Sequence, residues 1–247
     1  MRNWAQGTRN SAASSATSCA TCCRTIKPTK MLRKNILALD IALGPAAACL
    51  LRRDGSILTA GGQDERPHSQ AIMPLLEGLL KRGGMQWNDL DMLAAGIGPG
   101  SFTGLRIAAA SIAGINSGLN LPVIELSSLA ISALQCESEK AVHVIEDARA
   151  GLAYCACYQG NKALMQDCCM SWDDIGQLEP EGYTAQHTDK ERLSGWLYLP
   201  PSTPRPVAMS RLLLSTAREL NDIESLPRVA TPAYLIASQA ERHAPQN

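Results

Sequence analysis

The sequence of 247 residues predicts an α/β fold with two lobes. Three apolar runs with turn residues between them open the first lobe, at 35–42, 46–51 and 56–60. Segments with helical periodicity follow these strand-like runs. A second set of strand-like runs then begins at 142–145, 152–158 and 161–165. Two successive series of strands and helices indicate two lobes, each with its own sheet.

The first lobe begins with a strand and a β-hairpin. The strand over 35–42 carries Asp40 close to its end. The next two runs are separated by a short polar segment that contains Asp54-Gly55. Asp-Gly between two apolar runs is a strong signal for a tight hairpin turn. This order of a strand followed by a hairpin is typical of the start of actin-like and ribonuclease H-like domains.

The first long helix is predicted over residues 69–81. Five apolar side chains fall on one face at helical spacing, namely Ile72, Leu75, Leu76, Leu79 and Leu80. Gly83-Gly84 follows and is expected to end the helix. Pro74 lies inside the segment and is expected to bend the helix or to delay its start.

A glycine-rich turn joins the strand at 92–97 to a second helix at 107–117. Glycines occupy positions 98, 100 and 104 of the sequence GPGSFTGLR. A glycine turn before a helix exposes backbone amides and can bind an anion or a phosphate. The segment is not a P-loop, because Thr103 replaces a glycine and no lysine follows Gly104. A tight turn that packs the helix on the sheet is the equally open alternative.

The second helix is composed almost entirely of small and apolar residues. After Arg106, no charged residue occurs up to Ser117. One stripe carries Ala108, Ser111, Ile112 and Ile115, and the remaining surface has little side-chain bulk. A helix with so few polar groups is either buried or part of an interface.

The remainder of the chain divides into a reduced second lobe and an N-terminal extension. We expect the first lobe over 31–136 and the second over 137–240, with irregular loops at 166–206 and a helix at 211–220. Residues 1–30 are rich in Ser, Thr and Ala and lack apolar periodicity, which predicts disorder. We expect this extension to result from an upstream start codon, and an organellar transit peptide is the alternative.

Charge and hydropathy exclude two classes of function. The formal net charge is zero, but residues 1–30 hold five basic residues and no acidic one. The remaining 18 basic and 23 acidic residues make the body acidic, which argues against a large surface for nucleic acid. No apolar run reaches the ~18 residues that span a bilayer. We therefore expect a cytoplasmic protein that has no large nucleic-acid surface of its own.

The sequence GPGSFTGLR resembles the signature of the TsaB (YeaZ) family. Other segments resemble the family in the same order along the chain, at 36–40, 68–70, 122–129, 146–149 and 232–235. The resemblance covers residues 33–159 well and is thin over 160–229. It implies an actin-like ATPase fold (ASKHA, ribonuclease H-like) with a second lobe of reduced size.

The resemblance also implies a function and partners. Family members are non-catalytic subunits that bind and activate a catalytic TsaD-type paralogue, which threonylcarbamoylates the tRNA adenosine next to the anticodon. A TsaE-type ATPase is a further expected partner, and a homodimer is an open alternative. Contact with tRNA is expected only through the complex. The expected partner-binding residues are Ile72, Leu76, Arg106, Ala109, Ala110, Ala113 and Ser117. The glycine loop is expected to lie near nucleotide or to be structural, with Gly98, Gly100, Ser101, Thr103 and Gly104.

Neither a catalytic residue nor a metal site is expected. Actin-like ATPases place a metal-linked carboxylate at the position of Asp40 and follow it with Gly-Thr or Gly-Ser, but Ile41-Ala42 follows here. The four histidines include no pair four residues apart, as a helical metal site would need. We expect no cofactor of the chain's own and leave ATP or ADP at the partner interface open. The alternative is an enzyme in its own right, an ATP-dependent transferase or a metal-dependent glycopeptidase.

Overall fold

Two mixed β-sheets and the helices packed on them build the protein. The structure is a computed structural model, and it describes residues 33–61, 68–186, 188 and 190–236. The predicted extension over residues 1–30 lies outside these residues. The described residues form five α-helices: α1 (His68–Arg82), α2 (Phe102–Asn116), α3 (Ser128–Leu134), α4 (Trp172–Ile175) and α5 (Arg205–Glu219).

The first sheet has the predicted strand, hairpin and parallel additions. Its strands are β1 (Ile36–Asp40), β2 (Ala47–Leu51), β3 (Ile57–Gly61), β4 (Met92–Gly98) and β5 (Val123–Ser127). Their order is β3-β2-β1-β4-β5, with β1, β2 and β3 antiparallel and β4 and β5 parallel to β1. In the hairpin turn, the backbone N–H of Ser56 donates to Asp54 Oδ1 at 2.8 Å, and Gly55 has φ of +82°.

The second sheet repeats the strand order of the first. Its strands are β6 (Val142–Arg149), β7 (Leu152–Gln159), β8 (Lys162–Ser171), β9 (Gly182–Thr184) and β10 (Leu197–Tyr198). Starting from β8, their order is β8-β7-β6-β9-β10, which matches β3-β2-β1-β4-β5 of the first sheet. Strands β6, β7 and β8 form an antiparallel meander, and β9 and β10 are parallel to β6. Two sheets of this same pattern confirm the predicted actin-like fold.

The prediction of irregular loops over 166–206 is wrong. Strand β8 continues to Ser171, and α4, β9 and β10 all fall within that range. The second lobe thus equals the first in strand number. Its reduction lies in its helices, because α4 has only 4 residues.

Each face of the first sheet is covered by a different helix pair. Alternate residues of its strands point to opposite faces. Leu37 and Leu39 pack against α1 and α2, whereas Ile36 and Ala38 join a core that includes α3, α5 and residues of β6 and β7. Helix α5 begins at Arg205, earlier than the predicted helix at 211–220. Although α5 lies within the range 137–240 that was predicted for the second lobe, it packs on β2 and β3 of the first sheet.

Two further observations concern the start of α1 and the length of the helices. Helix α1 begins at His68, so Pro74 does not delay its start. Among the described residues, no helix combines the length and the apolar character needed to cross a bilayer.

Candidate functional site

The glycine loop leads directly into α2. Ser101 is the N-cap of this helix, and its Oγ accepts a hydrogen bond from the backbone N–H of Gly104 at 3.3 Å. This cap starts α2 at Phe102 rather than at Ile107 as predicted, because it satisfies an amide that the helix leaves unpaired.

The glycines of the loop pack against the segment that follows β1. A Cβ atom built on Gly104 would lie 2.5 Å from the carbonyl oxygen of Ile41, and one on Gly100 would overlap the carbonyl oxygen of Ala42. The Ser101 N–H donates to that same Ala42 oxygen at 2.8 Å. These contacts favour the tight-turn alternative, in which the glycines permit close backbone packing.

Asp40 is fully buried and forms an ion pair with Arg205. The Arg205 Nε donates to Asp40 Oδ2 at 2.7 Å, and the two side chains are 0% and 6% exposed. The Ser128 hydroxyl donates to the other carboxylate oxygen at 2.8 Å. Gly96 lies directly beside the carboxylate, since a Cβ atom there would overlap it. The carboxylate therefore already has an internal cation as its partner.

Arg205 contacts three further groups on α3 and at its end. Its Nη1 donates to Ser132 Oγ at 2.9 Å and to Gln135 Oε1 at 3.3 Å, and its Nη2 donates to the Ser128 carbonyl at 3.0 Å. Sequence reasoning missed this residue. Arg205 lies 165 positions from Asp40 within a proline-rich polar stretch, so no spacing connects the two.

Within the ranges that the structure describes, no three His, Cys, Asp or Glu side chains are grouped so that they could hold a metal ion. At Asp40, the guanidinium group stands where a metal ion would need free carboxylate oxygens.

The outer side of α2 presents a stripe of small residues to solvent. Arg106, Ala110 and Ser117 are exposed, and Ala109 and Ala113 are half-buried between them. The opposite side carries Ala108 and Ile112 into the core. The structure thus places five of the seven predicted partner-binding residues on one accessible face, together with Thr103 and Gly114.

Ile72 and Leu76 do not belong to this face, so their assignment to the partner-binding set is corrected. They are 1% and 0% exposed and pack against the first sheet. The apolar stripe of α1 is its inward side, and a stripe that fills the core cannot also meet a partner. The accessible side of α1 carries Met73, which is 39% exposed, and Glu77.

An aromatic cluster lies at the start of α2. The rings of Phe102 and Tyr234 are 5.0 Å apart, and the Arg106 guanidinium lies 3.9 Å from the Phe102 ring centre. Tyr234 is 46% exposed and Leu235 is 37% exposed. The segment that carries them is held by Ala233, whose N–H donates to the carbonyl of Ile97 at 2.8 Å. Exposed apolar surface therefore continues from α2 onto the C-terminal segment.

Comparison with known proteins identifies the family. A family model described as "TsaD: tRNA N6-adenosine threonylcarbamoyltransferase" matches residues 63–241. The similar curated proteins include the tRNA threonylcarbamoyladenosine biosynthesis protein TsaB of Haemophilus influenzae, which is 35% identical over 127 residues. The chain belongs to the TsaD family and, within it, to the TsaB/YeaZ group. The resemblance of the glycine segment to TsaB is thereby confirmed.

The similarity extends further in structure than in sequence. TsaB of Escherichia coli is 37% identical over 127 residues, which is 50% of the chain and 54% of that protein. The H. influenzae match covers 50% and 53%, so the chain spans about half the length of these TsaB relatives. The structure of YeaZ from Pseudomonas aeruginosa superposes with a TM-score of 0.68 at 26% identity, over 82% of the chain and 100% of YeaZ.

Proposed function

We propose that the chain is a non-catalytic subunit in the biosynthesis of threonylcarbamoyladenosine on tRNA. In this function it binds and activates a catalytic TsaD-type paralogue, and it meets tRNA only through the complex. The similar proteins from H. influenzae and E. coli carry names from that biosynthesis. The acidic composition of residues 31–247 supports an indirect role toward RNA.

The observation that carries the proposal is the accessible face of α2. Ala109, Ala110 and Ala113 give it almost no side-chain bulk, so the backbone of a partner helix could approach closely. The aromatic cluster and Met73 extend the apolar surface on either side. Because the paralogue shares the family fold, we propose that its equivalent helices are the occupant. A second copy of this chain is the competing occupant.

The environment of Asp40 supports a non-catalytic role. A nucleotide-bound metal would require free carboxylate oxygens, but both oxygens of Asp40 accept hydrogen bonds from protein groups. The segment after β1 offers the buried apolar residues Ile41 and Ala42 in place of hydroxyl groups. We propose that the chain has no cofactor of its own and that ATP or ADP binds only where the partner completes a site.

The experiment is a binding titration between the purified chain and the TsaD-type paralogue. Ala110→Arg places a charge in the centre of the α2 face, while Leu164→Arg adds the same side chain to β8, where Leu164 is 51% exposed. We expect Ala110→Arg to cost about 2 kcal/mol or more, or an affinity loss of about 30-fold or more. Leu164→Arg should leave the affinity unchanged.

Three results separate the alternatives. Undiminished binding by Ala110→Arg, or an equal loss of affinity in both variants, would mean that α2 is not the interface. Binding of the chain to itself but not to the paralogue, lost in Ala110→Arg, would assign the face to a homodimer. Steady ATP turnover or peptide cleavage by the isolated chain would favour an enzyme in its own right. A TsaE-type ATPase can be added to the titration, and we expect it to bind only the preformed complex.

A further inference from the structure

A continuous path of hydrogen bonds joins the central strands of the two sheets. It starts at Asp40, the last residue of β1, and passes through Arg205 to the Gln135 side chain. The Gln186 Nε2 donates to the same Gln135 Oε1 at 3.2 Å. The backbone N–H of Gln186 then donates to Glu146 Oε1 on β6 at 2.7 Å. Hydrogen-bonded polar groups thus connect the end of β1 to Glu146 of β6.

Burial makes this path hard to open. Asp40 is 0%, Glu146 1%, and Arg205 and Gln135 6% exposed. Separation of the Asp40 and Arg205 side chains would leave each buried charge without an ion of opposite sign. Movement of the second sheet away from the first would have to break the Gln135–Gln186 bond or the Gln186–Glu146 bond, and Arg205 holds the Gln135 oxygen that accepts the first of these bonds.

The backbone segment immediately before Arg205 is held by hydrogen bonds to Gln135. The backbone N–H groups of Ser202 and Thr203 donate to the Gln135 carbonyl at 2.8 Å and 2.9 Å. The Gln135 Nε2 donates in return to the Thr203 carbonyl at 3.1 Å. Helix α5 begins immediately afterwards and packs on the first sheet. The backbone that leads into Arg205 is therefore anchored to Gln135 at the end of α3.

We propose that Arg205 is an internal cation that latches the two lobes, so that the chain keeps one interlobe arrangement without nucleotide or metal. The latch connects Asp40 of the first sheet to Glu146 of the second through Gln135 and Gln186. It does not depend on the docking proposal, because none of these residues lies on the accessible face of α2.

The test combines hydrogen exchange with chemical rescue of Arg205→Ala in the full chain. Two amides report on the two ends of the latch, Ala42 N–H beside Asp40 at 3.3 Å and Gln186 N–H beside Glu146. We expect Arg205→Ala to raise exchange at least tenfold at both amides. Millimolar ethylguanidinium should restore protection at both, because it can refill the space next to the carboxylate, whereas equimolar sodium chloride should not.

The matched control is Arg211→Ala. Arg211 lies on α5 like Arg205, but its ion pair with Glu137 is exposed. It should leave the exchange of both amides unchanged, with or without ethylguanidinium. Faster exchange at Ala42 alone, with Gln186 still protected, would mean that Arg205 acts only locally and would overturn the latch. Absence of rescue at Gln186 would overturn it as well.

A second variant covers the case in which Arg205→Ala does not fold. Asp40→Asn combined with Arg205→Gln removes both charges and keeps side chains that can form hydrogen bonds. With the ion pair gone, the latch predicts faster exchange at Gln186 than in the parent chain. Protection at Gln186 equal to that of the parent would refute the proposal, whatever the behaviour of Arg205→Ala.

Discussion

Substitution of Gly104 by alanine tests whether the glycine loop is a packing device. The new Cβ atom would lie 2.5 Å from the carbonyl oxygen of Ile41 and 3.4 Å from that residue's carbonyl carbon. The backbone atom cannot rotate away as a long side chain would. Either α2 or the segment after β1 has to move by close to an ångström, and both are buried at this point.

The expected magnitude follows from this overlap. Overpacking in a close-packed interior costs about 1–3 kcal/mol. For a protein of this size, each kcal/mol corresponds to a change in Tm of about 2–4 °C, so we expect Gly104→Ala to lower Tm by about 2–12 °C. Alanine is otherwise the better helix former, which offsets up to about 1 kcal/mol of the loss.

Gly114→Ala is the matched control, because Gly114 lies in the same helix and a Cβ atom there would meet nothing within 4 Å. This variant should raise stability by about 0.5–1 kcal/mol. Thermal and urea unfolding of the isolated chain, followed by circular dichroism, measure the Tm and the free energy of unfolding of both variants. If Gly104→Ala were as stable as Gly114→Ala, the loop would be open rather than packed, and the anion-binding alternative would regain its support.

Two further predictions concern titratable groups. Burial lowers the pKa of His143 below its ordinary 6.5, against the opposing effect of Glu181, so its contribution to stability is present above pH 6.5 and is lost as the pH falls through the lowered pKa. His143→Phe should remove this acid-side slope from urea unfolding between pH 7 and 5, and an unchanged slope would assign it to another group. Burial also raises the pKa of Cys49 and of Cys155 to about 12, so both thiols should resist iodoacetamide at pH 8 until the chain unfolds. Alkylation in the native state, located by peptide mass spectrometry, would contradict their burial.

Local sequence signals were sufficient for most of the first lobe. Short apolar runs on either side of an Asp-Gly turn predict β2 and β3, and a continuous apolar stripe predicts α1. The glycine segment was located correctly, but not its function, because glycines in a phosphate loop and in a tight packing turn look alike in sequence. The neighbouring backbone at Ile41 and Ala42, which only the folded chain brings next to the loop, favours the packing turn.

The sequence-based predictions are wrong or incomplete where a strand is too short to show a pattern or where interacting residues are far apart in the sequence. Strands β9 and β10 have 3 and 2 residues, too few to show a period among prolines and polar residues. Ile72 and Leu76 were assigned to an interface although their own helical stripe indicates the core. The Asp40–Arg205 pair joins residues so far apart that only the packing of α5 on the first sheet brings them together.

The most direct measurement of the proposed function is threonylcarbamoyl transfer to tRNA in a reconstituted reaction. The TsaD-type paralogue is assayed alone, with the chain, and with Ala110→Arg, and the chain is also assayed by itself. We predict that the chain alone transfers nothing, that it raises transfer by the paralogue, and that Ala110→Arg does not. Transfer by the isolated chain, or no gain when the chain is added to the paralogue, would contradict the proposal.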